Sequence, residues 1–215
     1  MLIYFFTILT LYVLGSILFV IAPIYRYFDK LTLNVCYLEI AGTGCFVIAN
    51  VMLFIDVLKM RKIYSKIKFT YKIIIRILYI LGASSFLIGA AYRIVDAKTL
   101  INVYIDMSAS SYFTLSNTVE LIYYINKSCK GKHTCTGIYV YKYSIRIFYF
   151  FGALIFLAAC IYRLIDYITD NTIIMDISAI SCFLIPNTML FIHLVKKTIK
   201  SKKTNNTIAM EINNK

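Results

Sequence analysis

Gly82-Ala83-Ser84-Ser85-Phe86, continued by Gly89, Tyr92-Arg93-Ile94-Val95-Asp96, Asp106, Phe113 and Asn117, is a skeleton that the chain carries three times. A second copy reads Gly15, Phe19, Ala22, Tyr25-Arg26, Asp29, Glu39, Phe46 and Asn50. The third reads Gly152, Phe156, Ala159, Tyr162-Arg163, Asp166, Asp176, Phe183 and Asn187. Counted from the glycine, the residues fall at +4, +7, +10, +11, +14, +24, +31 and +35 in every copy. The copies begin 67 and then 70 residues apart, with no gap inside the motif. Recurrence this regular marks a fold built from repeated units, each burying its inner face against its neighbours.

Composition says what medium surrounds those units. Hydrophobic residues make up 60% of the 215 and only 15% are charged, against about a quarter charged in soluble domains. The first charge is Arg26, so the opening segment is longer than the ~20 residues that span a bilayer as helix. It has no basic leader and no small-x-small cleavage site, and it holds part of the skeleton. It therefore reads as a membrane helix and not as a signal peptide.

A net charge of +13 would point to nucleic acid in a soluble protein. Here the placement of the cations points to a membrane. Lys59 to Arg76, Lys127 to Arg146 and Lys196 to Lys215 hold 18 of the 23 Lys and Arg. Cations gather on the untranslocated side, which puts both termini and the basic linkers on the cytosolic, matrix or stromal side. The expected partner is the lipid bilayer, with anionic headgroups against the basic linkers and tail; nucleic acid is not expected.

The fold class expected is all-α: a polytopic membrane protein of six transmembrane helices in three tandem two-helix hairpins. The first hairpin occupies residues 1–60, the second 73–127 and the third 143–197. Basic linkers fill 61–72 and 128–142, and a basic disordered tail fills 198–215. The least apolar crossing is the second helix of the second hairpin, where Met107 to Val119 is all that lies uncharged between Asp106 and Glu120. Its register with the other copies argues for a sixth crossing, since neighbours and snorkelling flanks hold a short apolar run.

Spacing puts chemistry on faces. On each first helix Gly, Phe, the small residue and Arg advance by whole turns and make one stripe. On each second helix the acid, a small residue three further on (Gly42, Ala109, Ala179), the Phe and the Asn make another. Small residues let helix backbones approach closely in lipid, where no hydrophobic force drives association, so both stripes are expected to be interfaces.

Two readings of the charges follow. Arg26, Arg93 and Arg163 with Asp29, Asp96, Asp166, Glu39, Asp106 and Asp176 either complement helix ends within each hairpin or form a ring about a pseudo-three-fold axis. Asn50, Asn117 and Asn187 lie deeper, as a hydrogen-bonded triad or as the polar lining of a pore. Glu120 has no counterpart in the other copies. Cys129, His133 and Cys135 share one linker without a recognised zinc spacing. No nucleophile elbow, phosphate loop or zinc-protease motif occurs, so no catalytic, cofactor or metal residues are expected.

Leu81-Gly82-Ala83-Ser84-Ser85-Phe86-Leu87-Ile88-Gly89 and Cys182-Phe183-Leu184-Ile185-Pro186-Asn187-Thr188-Met189-Leu190-Phe191 resemble the YrhK-type membrane module. That module is a two-helix unit with a Gly/Ser-Phe signature in each helix and basic residues after the second. The resemblance extends to all three copies and implies a membrane module with no defined activity. Mitochondrial carriers also use three two-helix copies, but Pro23-x-x-Arg26-x-x-Asp29 reverses their basic and acidic positions. The function expected is a non-catalytic hairpin scaffold or packing module. The alternative is a small solute or ion transporter or channel using the ring of Arg and acid.

Overall fold

Long apolar runs broken only by short polar turns give helix throughout. The computed structural model describes residues 2–29, 33–96, 100–130, 137–165 and 170–213. Among the described residues six helices follow one another: α1 (Leu2–Asp29), α2 (Leu33–Lys59), α3 (Lys66–Val95), α4 (Leu100–Lys130), α5 (Gly137–Ile165) and α6 (Asp170–Asn213), with a 3-10 turn at Met60–Lys62. Each packs on the next, and α6 returns to pack on α1, so the six close into a ring.

By length and composition, five helical spans are long and apolar enough to cross a membrane: Tyr4–Phe28, Leu33–Lys62, Lys66–Val95, Tyr143–Ile165 and Asn171–Lys196. These apolar helices are those of a membrane protein. The helix expected to make a sixth crossing, α4, forms but does not join these five, because Asp106, Glu120 and the Ser, Thr and Asn residues between them lower its hydropathy.

The helices outrun their expected limits at the basic segments. α3 starts at Lys66 and α4 continues to Lys130, inside stretches taken for linkers. α6 runs on to Asn213 through most of the stretch expected to be a disordered tail. Lys and Arg are good helix formers, so a run of cations ends an apolar segment without ending the helix. α3 stops where Asp96 turns to an extended conformation (φ −145°, ψ 96°) and its N–H caps the Tyr92 carbonyl at 3.0 Å.

Glycine brings paired helices together. A Cβ on Gly15 would lie 2.9 Å from the Gly42 carbonyl, and one on Gly152 would lie 2.9 Å from the Ala179 carbonyl. One on Gly82 would lie 2.9 Å from the Phe113 ring and 3.2 Å from the Ala109 carbonyl. The glycine thus meets the small residue after the acid in each of α1–α2, α3–α4 and α5–α6, as the stripes require. The opposite faces carry exposed Ile, Leu and Phe, such as Ile77, Leu81 and Ile88 on α3. Inside, Phe86, Ala109, Phe156, Cys160, Ala179 and Ile180 form the core, with Phe19 and Phe113 packed against it.

Candidate functional site: an ion-pair ring and an axial cavity

The ends of α1, α3 and α5 bring their arginines together with acids from α2, α4 and α6. Arg26 bonds Glu39 and stands 3.9 Å from Asp176. Arg93 reaches Glu39 at 2.9 Å and Asp106 at 2.7 Å. Arg163 bonds Asp176 and stands 3.6 Å from Asp106. Each guanidinium therefore bridges the acid of its own helix pair and one from a neighbouring pair, and the six residues close a circuit. Their side chains are only 5–10% exposed.

Three cations and three anions leave the ring formally neutral. Alternation matters, because a buried charge left unpaired costs far more than a pair. Pairing within each helix pair and pairing between neighbouring helix pairs coexist. Among the described residues, Asp96 is the one expected member outside this circuit. Asp96 sits exposed at the end of α3, where its carbonyl accepts from Asn102 Nδ2 at 2.7 Å. The Asp29 side chain and Asp166 lie outside the described residues, as do the Cys129 side chain, His133 and Cys135.

One helical step of seven residues below the ring, ~10 Å along an axis, Phe19, Phe86 and Phe156 meet. Phe86 and Phe156 are edge-on with centroids 5.0 Å apart, and Phe19 is edge-on to Phe86 at 6.2 Å. A small void of about 20 Å³ lies on the ring side of these rings, lined by all six ring residues. On the other side is a cavity of about 130 Å³ with walls from all six helices. The same three phenylalanines line both spaces and divide them.

The three asparagines do not bond one another, which corrects the expected triad. Tyr12 donates to Asn50 Oδ1 at 2.6 Å, Tyr79 to Asn117 Oδ1 at 2.5 Å, and Tyr149 to Asn187 Oδ1. The amides of Asn50 and Asn117 donate to the carbonyls of Phe46 and Phe113 at 2.9 and 2.8 Å. Asn187 alone departs, donating to Ser16 Oγ at 2.9 Å across the α1–α6 contact. Asn50 and Asn187 line the cavity together with the three tyrosines.

These tyrosines were legible and were missed: Tyr12, Tyr79 and Tyr149 stand three residues before Gly15, Gly82 and Gly152. Tyr4, Tyr71 and Tyr141 recur eleven before the same glycines. Extending the skeleton towards the N-terminus of each copy finds both sets.

Glu120 takes Arg146 as its partner at 3.1 Å and lines the cavity. Arg76 and Arg146, counted by sequence with the cations between the copies, are lining residues of the same cavity. Compared with known proteins, the chain matches no family model, no curated protein and no solved structure.

Proposed function

We infer that this is a six-span membrane protein of three tandem hairpins about a pseudo-three-fold axis that carries a small solute through its centre. Of the two functions expected, this is the transporter or channel. The observation that carries it is the axial cavity, with Arg76, Glu120 and Arg146 at a wall that is otherwise mostly aromatic and amide. A module with only a packing role has no use for three ionisable groups around an internal space, and ionisable residues at membrane depth are costly unless they serve one. Each hairpin is a YrhK-like unit in this reading. The basic segments at the other end from the ring face the cytosol or its equivalent, against anionic headgroups.

The recurring contacts support the tandem arrangement: the same Tyr–Asn, Arg–acid and Gly–small pairs form in each helix pair. The ion-pair ring and the three phenylalanines close the axis at one end in this conformation. That closed end is also what favours the scaffold. Purified protein in liposomes decides between them through uptake of labelled lactate, ethanolamine and urea, one anion, one cation and one neutral solute. A transporter or channel raises uptake of at least one above protein-free vesicles, and Arg93→Ala changes that rate. Uptake at the protein-free level for all three leaves the scaffold.

A further inference from the structure

Residues that recur in all three copies build the bundle; three charged residues that break the recurrence gather in one place. Arg76 and Arg146 stand six residues before Gly82 and Gly152, where the first copy has Leu9. Glu120 stands three after Asn117, where the other copies have Leu53 and Leu190. All three charged side chains line the axial cavity, and no other charged residue among those described does. Arg146 is held by Glu120 at 3.1 Å. Arg76 is in no ion pair among the described residues; its guanidinium stands 5.6 Å from the centre of the Tyr79 ring. The cavity thus carries one uncompensated positive charge, while the ring at the far end is neutral.

We propose that the axial cavity binds a small monocarboxylate, its carboxylate on Arg76 and its apolar body among Phe19, Phe46, Phe86, Phe113, Phe156 and Phe183. This rests on the solute-carrying reading above and names the class of solute. A guanidinium presents parallel N–H donors that match a carboxylate. The tyrosine hydroxyls are spent on the asparagine oxygens and, for Tyr79, on Glu120 as well, so among the described residues Arg76 is the strong donor left without a protein acceptor. The six phenylalanines disfavour a bare inorganic anion, which has no apolar surface to give them. At about 130 Å³ the space is close to the ~150 Å³ that takes a benzene-sized guest, which limits the body to a few carbons.

The test uses the full chain in detergent at neutral pH, titrated with butyrate, butylamine and butanol, which share a tail and differ in the head group. Butyrate is expected to raise the unfolding temperature and to bind at least ~10-fold tighter than butanol, with no binding of butylamine. Arg76→Gln is expected to weaken butyrate to the level of butanol, and Arg76→Lys to fall between. Equal binding of butyrate and butanol to the native protein overturns the proposal without recourse to any variant. So does unchanged butyrate affinity in a folded Arg76→Gln protein. Butyrate binding with no liposome uptake keeps this site and removes the transport reading; ethanolamine or urea uptake with no butyrate binding does the reverse.

Discussion

Arg93 is the best-placed member of the ion-pair ring, within 3 Å of two carboxylates on different helices. Replacing it by alanine leaves three buried carboxylates to share two guanidiniums, with Glu39 held by Arg26 alone and Asp106 by Arg163 alone. Breaking a buried pair from one side costs ~3–5 kcal/mol, so Arg93→Ala is expected to lower the unfolding temperature sharply in detergent. Arg93→Lys is expected to recover only part of that loss, since one ammonium does not bridge two carboxylates as a planar fork does. A lysine variant as stable as the native protein argues against bidentate bridging. Tyr12→Phe removes a neutral bond from Asn50, and such bonds between membrane helices average ~0.6 kcal/mol with a ceiling near ~1.7. Its cost is expected within that range by the same measurement; a loss as large as that of Arg93→Ala would mean that the Tyr–Asn layer holds more than one hydrogen bond.

At the scale of helices, the Gly-to-small contact is what sets how close each pair lies. A methyl on Gly152 would stand 2.9 Å from both the Ala179 carbonyl and the Cys182 Cβ, neither of which swings aside. Overpacking of this kind costs ~1–3 kcal/mol, so Gly152→Ala is expected to destabilise by that much. Gly44 has nothing within 4 Å of its virtual Cβ. Gly44→Ala is therefore expected to be neutral or to stabilise by up to ~1 kcal/mol, through helix propensity alone. Equal unfolding temperatures for the two variants would sink the contact as the determinant of spacing. These stripes were legible because whole-turn spacing puts Gly82, Phe86, Gly89 and Arg93 on one face whatever lies opposite. The limits of the helices were not, because lysine-rich segments read as linkers yet keep helical backbone. Nor does spacing tell which way a flanking cation turns, so Arg76 and Arg146 were counted with the solvated charges when they belong to the cavity.

For the whole molecule, the open point is whether α4 crosses the bilayer with the five more apolar helices. Hydropathy scores Asp106 and Glu120 as isolated charges, but in the folded bundle neither is isolated. Asp106 stands between Arg93 and Arg163, and Glu120 holds Arg146. Pairing within the bundle is how ionisable groups are carried at membrane depth, so the sequence-local penalty overstates the cost of placing α4 across. The same packing makes α4 the neighbour of α3 and α5 in a closed ring of six, which a helix lying on the membrane surface does not give. Epitope tags inserted after Ser65, Lys98 and Gly131 read the outcome in sealed vesicles by protease access. With α4 spanning, the tags after Ser65 and Gly131 are cut from one face and the tag after Lys98 from the other. If the tags after Lys98 and Gly131 share a face, α4 does not cross, α5 and α6 invert, and the three-fold arrangement of hairpins falls with them.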